Sequence, residues 1–283
     1  MKKLIYQVVI TLFRLLMMSY EMSYIKHNNS LNKRKVATID VQPRVLIVTE
    51  GTVTEPTYFR WLKRHLKISP ADIIEVKDSG GSTDPKSVTL IAIELFEESQ
   101  QEGNPYSFVF CTIDRDAHGR TKFFDAKRLI DGANQSYHNQ FRLIISYPSI
   151  EHWFVLHFAN DSHLYQKPMF GRGSIGSDAK RYFKHSYYAN YDETDKKQLE
   201  KMFNNNFTEL NRVNAIKFAS SQLRDIAANG INPLSLIFIP ATVIESIAKV
   251  DFLGKNNIPA FSFQQYTKII QEFFEEFNRD STL

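Results

Sequence analysis

Short apolar runs alternate with amphipathic stretches along residues 43–160. Four of the runs are rich in β-branched and aromatic residues, which is typical of strands buried on both faces of a sheet. These predicted strands span residues 44–49, 72–77, 106–113 and 141–146. The stretches between them repeat apolar residues at helical spacing, and some start with a capping residue and a proline, as at Asp84-Pro85. The alternation predicts an α/β core with a mainly parallel four-stranded sheet flanked by helices.

Acidic residues follow three of the predicted strands. Glu50 follows the first strand, Asp114 and Asp116 follow the third, and Glu151 lies just past the fourth. Because the carboxyl ends of parallel strands meet at one edge, where α/β folds place their ligands, we expect these side chains to gather there. An oxygen-rich site without thiolates suits Mg²⁺ or Mn²⁺, which can assist a displacement at phosphorus.

Each acid also has an ordinary structural explanation. Glu50 could cap the turn that follows it, and Asp114 and Asp116 could be turn formers. Glu151 lies where the N-terminus of a helix favours any carboxylate. The prediction of a shared site therefore depends on the common sheet edge rather than on any single acid.

Three motifs, in this order, resemble the RloB-like family, also called the AbiLii abortive-infection proteins. They are V-T-E-G-T-V-T-E-P-x-Y-F at residues 48–59, D-R-D at 114–116, and S-x-P-x-x-E-x-W-F-x-L-H-F at 146–158. The resemblance covers roughly residues 43–250 and implies a branch of the Toprim fold, which topoisomerases, primases and OLD-type nucleases share. In that fold a glutamate after the first strand and a D-x-D pair after the third carry the chemistry.

The resemblance assigns roles to these acids. Glu50 takes the position of the Toprim glutamate, and Asp114 and Asp116 take that of the metal-binding pair. We therefore expect Glu50 to be catalytic, and Glu50, Asp114 and Asp116 to bind Mg²⁺ or Mn²⁺. Glu151, placed at the same sheet edge, is the second expected catalytic residue. Glu50 would assist proton transfer, as base to the attacking hydroxyl or as acid to the leaving oxygen.

A metal-dependent nuclease is the function that the resemblance implies. Such proteins act as toxic effectors against phage in abortive infection, beside an AAA- or SMC-like ATPase encoded nearby, and RNA such as tRNA is favoured over DNA as substrate. The chain has no Walker motif, so ATP-driven sensing would come from that partner. The alternative is a non-catalytic subunit that binds nucleotide or nucleic acid and regulates an ATPase complex. Assembly into a homo-oligomer stays open.

Composition and charge indicate which classes of protein the sequence excludes. Of the 283 residues, 43% are hydrophobic and 23% charged, which is typical of a globular protein. A single cysteine, Cys111, excludes an intrachain disulfide and a cysteine-based zinc site, and it predicts a reducing, cytoplasmic location. Residues 1–44 carry eight Lys or Arg and two acids, a net charge of +6, so the remaining residues sum to −2 and the overall charge of +4 comes from this segment. Any nucleic-acid site on the remainder must be a local patch.

Residues 165–191 predict such a patch, because basic residues alternate there with seven aromatic residues. The predicted nucleic-acid ligands are Arg172, Lys180, Arg181 and Lys184. The alternative is an amphipathic helix over residues 178–188, whose aromatic side chains pack in the core and whose Lys and Arg face solvent. His157 likewise is either a hydrogen-bonded core residue or a group that orients Glu151 or a substrate phosphate.

The chain divides into three predicted regions. Residues 1–42 form a basic N-terminal arm, 43–160 the catalytic core, and 161–283 a mainly helical extension. Within the arm, the apolar spacing of residues 4–18 predicts an amphipathic helix for docking or self-association. The alternatives are that translation of the protein starts at Met22, or that this segment anchors the protein to a membrane. Its apolar run is too short for a membrane span. Residues 261–277 predict a helix that packs on the core or on a partner.

Overall fold

The structure is a computed structural model, and it describes residues 43–68, 74–81, 84–115, 118–165, 174–223, 233–249, 251–259 and 261–279. The predicted arm, Asp116 and Arg172 lie outside these residues. The strands are β1 (Val45–Thr49), β2 (Ile74–Asp78), β3 (Phe108–Asp114), β4 (Phe141–Tyr147) and β5 (Leu234–Ser235). They form one sheet in the order β2-β1-β3-β4-β5, in which β5 alone runs antiparallel to its neighbour.

The predicted mainly parallel α/β sheet is confirmed, with a fifth strand added. Every residue of β1 and β4 is buried, as expected for strands covered on both faces. The prediction of four strands was wrong because β5 has two residues, which is too short for a recognisable pattern. Its pairing with Ser146 and Tyr147 depends on contacts between residues distant in the sequence.

Helices flank the sheet and make up most of the chain after β4. The first four are α1 (Thr54–His65), α2 (Pro85–Gln101), α3 (Arg120–Ser136) and α4 (Ile150–Val155). The later ones are α5 (Ile175–Ser186), α6 (Lys196–Asn206), α7 (Glu209–Gln222), α8 (Phe238–Ala248), α9 (Phe252–Lys255) and α10 (Phe263–Arg279). Within the part of the chain that the structure describes, none of the helices combines the length and the apolar character that a membrane crossing requires.

The C-terminal helix α10 covers the part of β4 that β5 leaves unpaired. The N–H of Leu143 donates to the hydroxyl of Tyr266 at 2.7 Å, and that hydroxyl donates to the carbonyl of Leu143 at 3.2 Å. Arg142 lies 4.1 Å from the centre of the Phe263 ring. Because an uncovered edge strand is prone to pair with other chains, these contacts protect the unpaired side of β4. The helix predicted near residues 261–277 thus packs on the core.

Candidate active site

Glu50 lies at the carboxyl end of β1 and accepts hydrogen bonds from Asp114, the last residue of β3, and from His118 beyond it. Its Oε2 accepts a hydrogen bond from the backbone N–H of Asp114 at 3.1 Å. Its Oε1 accepts one from Nε2 of His118 at 2.5 Å, and both side chains of this pair are largely buried. The structure therefore joins the first predicted acid to the segment that carries the second. His118 is a site residue that the sequence analysis did not select.

Glu151 lies in the first turn of helix α4, beside the same edge of the sheet. Its side chain is 1% exposed, and its two oxygens accept hydrogen bonds from Ser149 Oγ at 2.6 Å and from the Tyr191 hydroxyl at 2.5 Å. Burial raises the pKa of Glu151, although Lys180 and the two hydroxyl donors act in the opposite direction. Glu151 is thus held rigidly at the site by side chains that the acid motifs do not include.

Glu55 is a further acid of the site that the sequence analysis did not select. It lies in the first turn of α1 and is 6% exposed. Its carboxylate lies against Gly51, where an added Cβ would be 2.0 Å from Oε2 of Glu55. Burial, together with the negative charges of Glu151 and Glu50, raises the pKa of Glu55 to about 7. The spacing E-G-x-x-x-E was visible in the sequence, but a helix N-terminus explains an acid there without any site.

Asp114 interacts with all three of these glutamates. Burial raises its pKa well above the usual range, and the charges of Glu55, Glu151 and Glu50 act in the same direction. The backbone N–H of Ile150 donates to its carboxyl group and lowers the pKa. We call Glu50, Glu55, Asp114 and Glu151 the acidic cluster. It is a group of like charges at the carboxyl edge of the sheet.

The donor chemistry of the acidic cluster fits a hard divalent cation, because its ligands are carboxylate oxygens in a negative environment. The described residues alone do not complete a metal site: among them, no group of three or more His, Cys, Asp or Glu is arranged to hold an ion. The two oxygens of Glu50 and the two of Glu151 already accept hydrogen bonds. Asp116, the other predicted ligand, lies outside the described residues.

The predicted basic patch contains helix α5. Lys180 is paired with Glu193 and Arg181 with Asp178, whereas Lys184 is exposed. Arg172 lies outside the described residues. The helix that was the alternative to the patch is present, and Phe183 is fully buried in the core. The nucleic-acid role of these four basic residues stays a prediction.

His157 belongs to an aromatic cluster of the core. Its Nδ1–H donates to the carbonyl of Trp153 at 2.9 Å, and its ring stacks on Phe207 with 3.8 Å between the centroids. Burial lowers the pKa of His157 to about 3, so the ring is neutral at physiological pH. The structure therefore supports His157 as a hydrogen-bonded core residue. Among the described hydrogen bonds of His157, none involves Glu151.

Comparison with known proteins identifies a family. A model of the RloB-like protein family matches residues 45–246, which include β1 to β5 and most of α8. The chain matches no curated protein and no solved structure. The matched range contains every residue of the acidic cluster.

Proposed function

This chain belongs to the RloB-like protein family, and from that premise we propose that it is a metal-dependent nuclease of the Toprim type. One observation carries the proposal. The acidic cluster is buried at the carboxyl edge of a mainly parallel sheet, and the charges of its other members help to raise the pKa of Glu55 and of Asp114. A protein that needed these residues only for packing would gain stability from neutral side chains there. A function that uses negative charge explains why four carboxylates lie together in the acidic cluster.

The proposal gives each acid a task. Glu50, Asp114 and Asp116 would hold Mg²⁺ or Mn²⁺, which when bound would neutralise charge on a phosphate. Glu50 also assists proton transfer at the attacking or leaving oxygen. Because its pKa lies near 7, Glu55 holds a proton in many molecules at neutral pH and can donate it. Glu151 is kept in place by Ser149 and Tyr191 and maintains the negative field around Asp114.

The substrate and the biological setting form the second part of the proposal. RNA, in particular tRNA, is the proposed substrate in preference to DNA, by analogy with Toprim effectors of defence. The proposed setting is abortive infection in the bacterial cytoplasm, as for AbiLii proteins, with an AAA- or SMC-like ATPase as partner. These points rest on the family resemblance and not on the geometry of the site.

A regulatory subunit without catalysis is the second candidate. The observation in its favour is that Glu50 and Glu151 use their carboxylate oxygens in hydrogen bonds within the protein. Under this alternative, the acidic cluster would bind a cation or a nucleotide and bias an ATPase partner. Cleavage assays separate the two candidates.

The test compares the wild-type protein with Asp114→Asn and with Asp131→Asn as a matched control. Asp131 is an exposed residue of α3 that is paired with Lys127 and is remote from the acidic cluster in sequence and role. Each protein is incubated with tRNA, total RNA and DNA in the presence of Mg²⁺ or Mn²⁺. We expect cleavage by the wild type and Asp131→Asn, and none by Asp114→Asn. Binding without cleavage by all three proteins would support the regulatory subunit.

A further inference from the structure

Arg115, the middle residue of D-R-D, contacts the C-terminal helix. Its side chain is buried, with 4% exposure of the residue. The guanidinium carbon lies 4.4 Å from the centre of the Phe277 ring in α10 and 5.8 Å from that of Phe123 in α3. A cation held over an aromatic ring in this way is attracted to the electron-rich face. The last turn of α10 therefore reaches the segment that carries the predicted metal ligands.

A chain of hydrogen bonds leads from Arg115 to Glu50. Nη1 of Arg115 donates to the backbone carbonyl of His118 at 2.7 Å. The backbone N–H of His118 donates to the carbonyl of Arg115 at 3.2 Å, and its Nε2 donates to Glu50 at 2.5 Å. Arg115 thus holds the backbone of the residue whose ring contacts Glu50.

Core packing alone does not account for an arginine at this position. A buried guanidinium is costly unless its donors are used, and a methionine would fill comparable space without that cost. Here Nη1 of Arg115 is used to hold the backbone carbonyl of His118, and the guanidinium lies over the ring of Phe277. Both contacts favour one orientation of His118.

We propose that Arg115, held by Phe277, is a positioning residue that sets His118 against Glu50, so that the last turn of α10 supports the active site. This inference deepens the proposed function and rests on it for its effect on cleavage. It also has a consequence independent of cleavage. His118 should be shielded on Nε2 in the wild type and released when Arg115 or Phe277 is changed.

Modification of histidines by diethyl pyrocarbonate tests the shielding directly. Peptide mapping by mass spectrometry gives the rate at His118 relative to His185, an exposed residue of α5. We expect slow modification of His118 in the wild type and a rate several-fold higher in Arg115→Met and in Phe277→Leu. The matched control is Phe274→Leu, because Phe274 is also buried on α10 but packs edge-to-face against Phe124.

Cleavage kinetics supply the second readout, with all proteins kept well below their unfolding midpoints. Since small misplacements of a reacting group are costly, we expect kcat to fall roughly ten- to a hundredfold in Arg115→Met at unchanged KM. His118→Leu should show the same loss, and His118→Gln, which retains a donor, should recover part of it. Phe274→Leu should keep the wild-type kcat.

The outcomes separate this inference from the proposed function. Wild-type rates of His118 modification in Arg115→Met and Phe277→Leu would overturn the positioning role, as would an equal increase in Phe274→Leu. An unchanged kcat in Arg115→Met would also overturn it. If the wild-type protein cleaves no nucleic acid, the proposed function fails, and the modification rates still decide whether Arg115 and Phe277 position His118.

Discussion

The acidic cluster and the contact between α7 and α8 bury charge in opposite ways. In the helical contact, Nε of Arg212 lies 2.5 Å from Oε1 of Glu245, and both side chains are almost completely buried. Nη1 of Arg212 also donates to the carbonyl of Phe207 at 2.8 Å. In the acidic cluster, negative groups face one another, and the pKa of Glu55 rises to about 7 as a result of burial and of neighbouring charge.

The Arg212–Glu245 pair stabilises the fold, whereas the acidic cluster holds its charges for a function. A buried ion pair compensates its own desolvation in part, so it is stable without any ligand. A cluster of like charges opposes folding at neutral pH and is relieved when protons or cations bind. The contrast between Arg212–Glu245 and the acidic cluster therefore leads to predictions of opposite sign.

The largest expected effect is on catalysis at Glu50. Glu50→Gln should lower cleavage by roughly 10²–10⁴-fold, which is the usual contribution of general acid–base catalysis. The midpoint of thermal unfolding should stay at or above the wild-type value, because one of the mutually repelling charges is removed. Rates of tRNA cleavage and thermal unfolding of the same preparations check both statements. Wild-type activity in this variant would remove Glu50 from the mechanism.

Breaking the ion pair should have the reverse pattern. Arg212→Met leaves Glu245 buried without its partner and should cost roughly 3–5 kcal/mol in the free energy of unfolding. Activity per folded molecule should stay the same, since neither residue belongs to the acidic cluster. The double variant Arg212→Met with Glu245→Leu should recover much of the loss, as measured by urea unfolding. No recovery would mean that the two charges do not compensate each other.

The raised pKa of Glu55 should make the stability of the protein depend on pH. Its pKa is raised in the folded state from 4.5 to about 7, so its protonated form is favoured by folding. That contribution to stability is complete below pH 4.5 and is lost as the pH rises through 7. Glu55→Gln stays neutral, and it should be more stable than the wild type by roughly 1–3 kcal/mol at pH 8 and similar to it at pH 4.

An exposed glutamate provides the control for that measurement. Lys249 lowers the pKa of Glu209, so its charged form is favoured by folding. Glu209→Gln should therefore be slightly less stable than the wild type at pH 8, which is the opposite sign. Urea unfolding at pH 4 and pH 8 gives all four values. Equal effects for both substitutions would contradict the raised pKa of Glu55.

Divalent cations should relieve the repulsion in the acidic cluster. Mg²⁺ or Mn²⁺ at ten times its dissociation constant should stabilise the folded protein by about 1.4 kcal/mol and raise the unfolding midpoint. Asp114→Asn should lose this shift, whereas Arg212→Met should keep it. Calorimetry at constant ionic strength checks the effect. No shift in the wild type would count against a metal site formed by Glu50, Asp114 and Asp116.

The smallest effect is expected from charge at the surface. Replacing the four basic residues Arg172, Lys180, Arg181 and Lys184 by Ala should flatten the salt dependence of RNA binding, by roughly 0.7–0.9 in slope for each lost phosphate contact. Among the described three, Lys184 should contribute most, because Lys180 and Arg181 are already paired with acids. Filter binding over a range of salt concentrations measures the slope. An unchanged slope would place the nucleic-acid surface elsewhere.

The amino-acid sequence by itself determined the four parallel strands and three acids of the cluster. Each signal was local: an apolar run such as Val45–Thr49 specifies a buried strand, and Glu50, Asp114 and Glu151 lie at or just after the carboxyl ends of three strands. Because parallel strands share an edge, local signals were enough to bring these three acids together.

Only the tertiary structure decided which other residues join them. His118 contacts Glu50 across 68 positions of sequence because β1 and β3 are neighbours in the sheet. Glu55 enters the cluster because α1 turns back over Gly51, and Arg115 faces Phe277 because α10 covers β4. Such contacts depend on how elements pack, and hydrophobic periodicity identifies the buried face of each element without specifying its partner.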